Sequence, residues 1–579
     1  MSSFLKIIVL VVSIFAPFSF AGTEPWAFSF IQVGIFGIFL ALFSKRHHFS
    51  VSPLIKPVCF ILGFLALLAV LQSFFTTSIL KPPLHYPSTF SRLYTLEHAS
   101  LFVTWLTAVL AISQLFQTRK EIMQALGIVA ISGFLVALSV FFWSDGEYVS
   151  FFLGYKHIGK GPFFNRDHAG TFLAICSFAL AAIPLSLYAI YKHHPEEKEK
   201  MYSKQFVCWF LFVLTAASVI YTKSRGGMLA LLTGILSLIF LLGISLPHHT
   251  RKRTYFGFLA LMLAAICGFS IANNIDAINR YADRAGDSFG DNNTRIVLYK
   301  AVPKILEKYP AGIGIGSLPL VIEQNCSKRI GRYVERLHSD WLEILTGIGW
   351  GGAIFVIAGL VWYIIIAIKT LFCLHSKKKV LFASILAGQI AMLTACAFDY
   401  EFFVPSNALM FFILTGLACS PSFHKDHVHT YHIYIPAKCV AAVICLLAVI
   451  VPLRKTIAWR YVFLGKSRFK DEKLVLFEKA KDVYPGARYG LRAVVGYYNT
   501  ANGEERNNDI ENAKKHKKRA MELTMQFLRM YPKDTELSAM YYRLLGVQKR
   551  PPKKLKKWSV HKKSAGSNRK KPATRNRIK

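Results

Sequence analysis

Three polar groups interrupt the apolar sequence, and each contains residue types that could bind an anion or move a proton. They are Asn165-Arg166-Asp167-His168, Ser224-Arg225-Gly226-Gly227 and Leu337-His338-Ser339-Asp340. Each group precedes a long apolar block, so we expect it at a helix N-terminus, where unpaired N–H groups and the helix dipole favour an anion. An arginine adds a planar pair of donors suited to phosphate. The pattern predicts a phosphate site where three helices begin.

His338 has the sequence context of a general base. Asp340 and Glu343 resemble a capping box, which would place His338 just before the positive end of the following helix. That position favours the neutral ring, which could deprotonate a bound hydroxyl as it attacks. The alternative is a histidine that is simply hydrogen-bonded within the fold.

The other polar positions have plainer alternatives. Arg225 could be a charge whose side chain only reaches interfacial water, although Gly226 and Gly227 beside it would allow a backbone or a ligand to approach closely. Arg166 and His168 could belong to a solvated loop. Arg166 and His168 are therefore weaker candidates than Arg225.

The elements that would position these groups are membrane-spanning helices. Of the 579 residues, 53% are hydrophobic and 18% are charged, whereas a soluble protein has about a quarter of its residues charged. The apolar residues form blocks long enough to cross a hydrocarbon core of about 30 Å as helices. The composition excludes an ordinary soluble enzyme and predicts an all-α polytopic membrane protein.

Polar breaks divide the chain into thirteen predicted spans, at 4–20, 27–43, 57–75, 98–115, 122–143, 168–191, 205–222, 227–246, 254–272, 341–371, 380–398, 402–420 and 436–455. The first block also fits a cleaved signal peptide, since Ser19 and Ala21 flank Phe20. We expect a membrane domain over residues 1–455, a helical segment with repeat-like Tyr-Pro stops over 456–548, and a basic disordered tail over 549–579.

Lysine and arginine counts predict the orientation. The short loops on one side contain fifteen of them and those on the other side seven, and the richer side is expected to face the cytoplasm. The loop of residues 273–340 would then face outward, away from the cytoplasm. We expect within it a helix over 294–308, ended by Tyr309-Pro310, and a flexible glycine-rich stretch over 312–316.

The net charge of +38 does not indicate a nucleic-acid partner. Residues 549–579 contribute 14 lysines or arginines and no acidic residue, and such a tail is typically solvated, with anionic lipid head groups as the alternative partner. The ten cysteines include no CxxC pair and lie mostly in apolar blocks, which argues against a disulfide framework and a cysteine metal site.

The motifs resemble those of the bacterial O-antigen ligase family. His338-Ser339, nine residues and then Gly349-Trp350-Gly351-Gly352 fit the family's H-[NSQ]-x9-G-x-x-[GTY] pattern, and Arg225 to Leu229 fits its R-x3-L pattern. Arg295, followed by Pro310-Ala311-Gly312-Ile313-Gly314, is similar to the family's outward-loop arginine and P-x-G-x-G segment. The Asn165-Arg166-Asp167-His168 group is similar to a family stretch that has Asn in place of Asp167.

The resemblance implies a GT-C-like fold and an inverting, metal-independent glycosyltransferase without a cofactor. Such enzymes sit in the bacterial inner membrane and move a glycan from undecaprenyl diphosphate to an acceptor hydroxyl on the periplasmic face. His338 would be the catalytic base, and Arg225 and Arg295 would bind the diphosphate. Asp399, beside Glu401 between two spans, could orient a cation or a sugar hydroxyl, or could be a simple acidic turn.

The acceptor stays open at this point. Lipid A core is expected first, because the His338 pattern matches without gaps and implies a ligase of lipopolysaccharide biosynthesis. The same residues would serve a polysaccharide polymerase or a protein O-oligosaccharyltransferase. The segment after residue 455 is compatible with the protein O-oligosaccharyltransferase. A lipid-linked-sugar transporter is the alternative of another class, but its polar groups would be expected at mid-membrane and not at one face.

Overall fold

The computed structural model describes residues 2–45, 48–76, 86–142, 147–149, 156–158, 161–191, 198–246, 294–327, 334–424, 427–466, 468, 470–531 and 535–545. These ranges are almost wholly helical, as the all-α prediction requires. The predicted span 254–272 and the basic tail lie outside the described residues.

The long apolar blocks form helices because only a helix satisfies every backbone N–H and C=O group within one segment in lipid. The first eight helices are α1 (Ser2–Phe18), α2 (Pro25–Lys45), α3 (Ile55–Phe74), α4 (Arg92–Leu115), α5 (Arg119–Phe142), α6 (Arg166–Tyr191), α7 (Lys198–Tyr221) and α8 (Arg225–Ser245). Three short helices follow after the undescribed stretch, α9 (Thr294–Tyr299), α10 (Ala301–Lys308) and α11 (Leu318–Asn325).

The next four helices complete the apolar part, namely α12 (Asp340–Cys373), α13 (Ser376–Ala395), α14 (Pro405–Ala418) and α15 (Ile435–Lys466). Ten of the described helices are long and apolar enough to cross a membrane, while α1 and α14 are apolar but shorter. The chain is therefore a polytopic membrane protein. The predicted helix over 294–308 is present as α9 and α10, which meet at Lys300.

The sequence did not predict the strands. β1 (His48–Val51) pairs antiparallel with β4 (His429–His432), and β2 (Glu147–Val149) pairs antiparallel with β3 (Lys156–Ile158). These two-stranded pairs are too short to give a clear alternation in the sequence.

The chain divides into two compact units, and the larger comprises residues 1–464 and 482–484. Its core contains α6, which packs against α5, α7, α8 and α13. Two glycines let α6 and α8 approach closely, since a Cβ on Gly227 would lie 2.7 Å from the Cα of Gly170. This contact brings together the N-termini of α6 and α8, which both begin with predicted polar groups.

The smaller unit comprises residues 465–481 and 485–579. It contains the later helices α17 (Ala487–Arg506), α18 (Ile510–Met530) and α19 (Thr535–Leu544), and most of α16 (Lys470–Val483). Arg519 donates to both carboxylate oxygens of Glu478 at 2.8 and 3.0 Å, and the ring of Phe527 packs on Gly490. The predicted boundary at residue 455 falls inside α15.

Candidate active site

The three predicted polar groups lie at helix N-termini. Helices α6, α8 and α12 begin at Arg166, Arg225 and Asp340. Ser224 caps α8, with its Oγ accepting a hydrogen bond from the Gly227 N–H at 3.0 Å, and Ser339 caps α12. These caps satisfy N–H groups that the helices leave unpaired.

The expected capping box at Asp340 and Glu343 was wrong. Ser339 is the N-cap, and the Glu343 carboxylate accepts hydrogen bonds from the backbone N–H of Leu337 at 3.2 Å and from Arg336 at 2.6 Å. The Asp340 carboxylate accepts from the N–H of Phe402 at 3.0 Å. The acidic side chains therefore fix the chain on either side of His338 and do not cap the helix.

His338, Asp399 and Arg295 form a connected cluster. His338 Nδ1 lies 3.0 Å from Asp399 Oδ1, and Arg295 Nη2 lies 3.3 Å from Asp399 Oδ2. One carboxylate thus contacts both the predicted base and a predicted phosphate-binding arginine. The two basic side chains are partly exposed, at 29% and 38%, whereas Asp399 is buried.

The ionisation of Asp399 follows from these contacts. Burial would raise the pKa of this carboxyl, but the hydrogen bond from His338 and the charges of His168 and Arg295 outweigh burial, so its pKa lies below the usual value. A carboxylate bonded to Nδ1 places the ring proton there, which leaves Nε2 of His338 as the proton acceptor. The Asp399 position is thus part of the site and is more than an acidic turn.

The backbone holds His338 in an unusual conformation. Its φ is +57°, in the left-handed region that non-glycine residues seldom adopt. The Tyr299 hydroxyl donates to the His338 carbonyl at 2.5 Å, and the Asp340 N–H donates to the Cys396 carbonyl at 2.9 Å. Contacts from α9 and from the end of α13 therefore determine where the imidazole lies.

Asp167 connects the cluster to α8. Its Oδ2 lies 3.6 Å from Arg295 Nη2, and its Oδ1 accepts from the Ser224 hydroxyl at 2.8 Å. Arg225, the residue after that serine, is exposed at the first position of α8, and Arg166 is exposed at the first position of α6. Of the three predicted arginines, the structure brings Arg295 into contact with the carboxylate that His338 binds.

A second histidine–carboxylate pair lies beside the first. His168 Nδ1 lies 3.2 Å from Glu401 Oε2, and the same carboxylate accepts from Thr171 at 2.9 Å and from the Asn407 amide at 2.6 Å. The Tyr400 ring contacts both histidine rings, with centroids 4.8 Å from His168 and 5.2 Å from His338. His168 is buried and is not in a solvated loop.

One group of side chains has the donor types of a metal site. Single ligand atoms of His168, Asp399 and Glu401 lie within 4.8 Å of one another. Both carboxylates already accept hydrogen bonds from protein donors, including the Arg295 guanidinium and the Asn407 amide. The arrangement is thus accounted for by hydrogen bonds among protein groups.

Gly349, the first glycine of the pattern that follows His338, has a structural role next to the site. Gly349 has φ +67° and ψ −174° inside α12, and a Cβ there would lie 2.3 Å from the Pro310 carbonyl oxygen. The Trp350 N–H donates to that carbonyl at 3.0 Å, and the Ile313 N–H donates to the Thr346 carbonyl at 2.9 Å. The bend in α12 therefore holds the 310–314 segment in place.

Sequence reasoning missed several side chains of the site. Tyr299, Tyr400 and Asn407 carry no recognisable motif, and their contacts join segments far apart in the chain. Glu401 was visible only as the neighbour of Asp399. The one signal for Glu401 in the sequence was that it forms an acidic pair with Asp399 between two apolar blocks.

Comparison with known proteins identifies one family. Residues 210–357 match the family model described as O-antigen ligase, a segment that contains Arg225, Arg295 and His338. No curated protein matches the chain. The family match confirms the resemblance drawn from the motifs, and it shows that residues 210–357 are similar to the O-antigen ligase domain.

Proposed function

We propose that the chain transfers a glycan from undecaprenyl diphosphate to an acceptor hydroxyl on the periplasmic face of the bacterial inner membrane. The expected acceptor is lipid A core, in lipopolysaccharide biosynthesis. The observation that carries the proposal is the contact of Asp399 with both His338 and Arg295. One carboxylate thus holds both a base and an anion-binding side chain. This arrangement suits a reaction in which an acceptor hydroxyl is deprotonated while a diphosphate leaves.

The proposed reaction is a single displacement with inversion. His338 Nε2 removes the proton from the acceptor hydroxyl as its oxygen attacks the anomeric carbon. The bond from that carbon to the diphosphate oxygen breaks, and undecaprenyl diphosphate leaves with the electron pair. Asp399 orients the ring and stabilises the imidazolium that forms, which is the role of the carboxylate in other histidine–carboxylate pairs.

The arginines would stabilise the leaving group. Arg295 presents a partly exposed guanidinium beside Asp399, and Arg225 stands at the N-terminus of α8, where unpaired N–H groups add positive potential. The diphosphate is already a good leaving group, so positioning and charge stabilisation would suffice without a metal ion or a cofactor.

An apolar cavity supports a lipid-linked donor. Its volume is about 140 Å³, and its lining includes Trp341, Ile344 and Phe402, which are close in sequence to His338 and Asp399. Such a cavity could hold part of a polyprenyl chain while the diphosphate lies at the polar cluster. The surrounding membrane lipids would supply the rest of the apolar contact.

A protein acceptor is the second candidate. The smaller unit has its own packed helices, with buried Ala493, Leu523 and Phe527, and could present a binding surface for a folded acceptor. A polymerase would need no such unit. The acceptor must therefore be determined by assay.

The test is transfer by the purified full chain. The chain is supplied with undecaprenyl diphosphate-linked glycan and, separately, with lipid A core, a second lipid-linked repeat or a Ser/Thr peptide, with and without EDTA. We expect glycosylated lipid A core in both conditions. Product only on the second repeat or only on the peptide would replace the ligase by the polymerase or the protein transferase. Absence of any product, with glycan-lipid flux in liposomes, would indicate a transporter.

A further inference from the structure

A polar cavity lies next to the active site on the side of His168. Its volume is about 390 Å³, within the range of small-ligand sites. His168 and Tyr400 are among its lining residues. The Tyr400 ring contacts both His168 and His338, so this one side chain lies between the cavity and the proposed base.

His168 has one ring nitrogen that the described residues leave unsatisfied. Nδ1 is bonded to Glu401, and the carboxylates of Glu401, Asp399 and Asp167 favour the imidazolium form, in which Nε2 also carries an N–H. Nε2 is fully buried and has no hydrogen-bond partner in the described part of the chain. A buried donor without a partner is costly, so a ligand hydroxyl oxygen that accepts from it would remove a real penalty.

The charges in the cavity are paired, which decides the class of ligand. Arg336 Nη1 lies 2.6 Å from Glu343 Oε1, and Lys455 is bonded to Glu97. Both cations that line the cavity therefore already have carboxylate partners, and an added phosphate would have to displace one. Paired charges instead offer donors and acceptors side by side, which suits a neutral molecule rich in hydroxyl groups.

Aromatic rings form another part of the lining. Phe28, Phe164 and Phe403 line the cavity together with Tyr400, and the Arg336 guanidinium lies 3.8 Å from the Phe403 ring centroid, which fixes that ring. The C–H faces of a sugar ring pack well on such surfaces while its hydroxyl groups reach the polar atoms. The combination of rings, paired charges and one unsatisfied donor is that of a saccharide site.

We infer that this cavity binds a sugar unit of one of the two substrates, with His168 Nε2–H donating a hydrogen bond to a sugar hydroxyl oxygen. The inference rests on the proposed function, because it takes that sugar to belong to the lipid-linked donor or to the acceptor. The two sources share the same chemistry, and the experiment separates them.

The experiment measures binding to the purified full chain without turnover. The donor arm compares undecaprenyl diphosphate that carries one N-acetylglucosamine with the bare carrier. The acceptor arm compares lipid A that carries its core sugars with lipid A alone. In at least one arm the sugar should increase the affinity of the unsubstituted chain, and the arm that responds identifies the source.

Two substitutions then test the cavity. His168→Phe keeps a ring but removes Nε2, and Thr23→Trp narrows the cavity from an exposed lining position. Each should reduce the sugar-dependent gain in affinity by about fivefold to tenfold, the worth of a hydrogen bond or a lost contact, and leave binding of the sugar-free ligand unchanged. The control is His424→Phe, which removes a buried imidazole beyond the far end of α14 and should keep the whole gain.

The inference is overturned if the unsubstituted chain gains no affinity from sugar in either arm, or if either folded variant keeps the gain. This outcome is separate from that of the transfer assay. A chain that transfers no glycan but shows a cavity-dependent gain would contradict the proposed function and leave the saccharide site standing.

Discussion

At the scale of single residues, Asp399 determines what its neighbours can do. Its carboxylate receives His338 on one oxygen and Arg295 on the other, and its low pKa keeps it charged at neutral pH. Because the carboxylate is buried, these two contacts are weakly screened by solvent. The position of the imidazole and the position of the guanidinium are therefore linked through one side chain.

Replacement of the proposed base should abolish most of the transfer. For His338→Ala we expect a rate lower by about 10²- to 10⁴-fold, the usual contribution of positioned proton transfer, with little change in donor binding. Single-turnover transfer and donor affinity are the two measurements. His429→Ala, at an exposed position on β4, is the control and should retain the full rate. Undiminished transfer by His338→Ala would remove this residue from the mechanism.

Substitutions of Arg295 and Arg225 can test the shape of the guanidinium group as well as its charge. Arg295→Lys keeps a positive charge but loses the planar pair of donors, so transfer should fall by at least about tenfold while the protein still inserts. Arg225→Lys and Arg225→Ala probe the same role at the start of α8. Arg506→Ala, at the end of α17, is the control. If Arg225→Ala and Arg295→Ala both turn over normally, the arginines are surface charges and the leaving group is stabilised by other groups.

At the scale of elements, the bend in α12 joins His338, the proposed base, to the segment after α10. Gly349 occupies a backbone region that is essentially restricted to glycine, and the Pro310 carbonyl occupies the space of a Cβ. The helix would otherwise run straight past this carbonyl. The spacing of nine residues between the His338-Ser339 pair and Gly349 therefore places the bend two turns below the site.

We expect Gly349→Ala to be strongly destabilising. Both the backbone conformation and the contact with Pro310 oppose it, at a cost of at least about 1–3 kcal/mol. Gly351→Ala is a matched control, because it lies in the same helix and a Cβ there meets no atom within 4 Å. Thermal unfolding in detergent compares the two. Equal midpoints would show that the bend tolerates a side chain.

The elements were predictable from sequence to the extent that hydropathy specifies them. Apolar blocks gave the helices that cross the membrane, and Tyr309-Pro310 correctly marked the end of α10. The contacts between elements were not predictable, because Arg295, His338 and Asp399 lie up to 104 positions apart and meet only when α9, α12 and the end of α13 pack together. The capping box was wrongly predicted for the same reason. Glu343 bonds to Arg336 and Leu337, and no local sequence pattern reveals those partners.

At the scale of the whole molecule, the proposed reaction depends on which side of the membrane the cluster faces. A cysteine between α11 and α12 tests this orientation. Cys326 is partly exposed, although burial raises the pKa of its thiol, so labelling is best done at mildly alkaline pH. With Cys326 as the single cysteine, an impermeant thiol reagent should label it in intact spheroplasts.

The control places the cysteine on the predicted cytoplasmic side. His375→Cys, exposed between α12 and α13, should be labelled only after lysis. The reverse pattern, with Cys326 protected and position 375 labelled in intact cells, would overturn the orientation derived from the lysine and arginine counts. It would also exclude a periplasmic reaction.

The sharing of Asp399 has a consequence for how free energies combine. If His338 and Arg295 acted independently, the rate losses of their alanine variants would multiply in the double variant. Removing His338 instead leaves Arg295 as the one basic side chain hydrogen-bonded to the carboxylate among the described residues, and the guanidinium then has less charge to offer a departing diphosphate. The second substitution should therefore cost less than it does in the intact site. The resulting coupling energy, measured in a double-mutant cycle, reports how far proton acceptance and diphosphate departure act as one event.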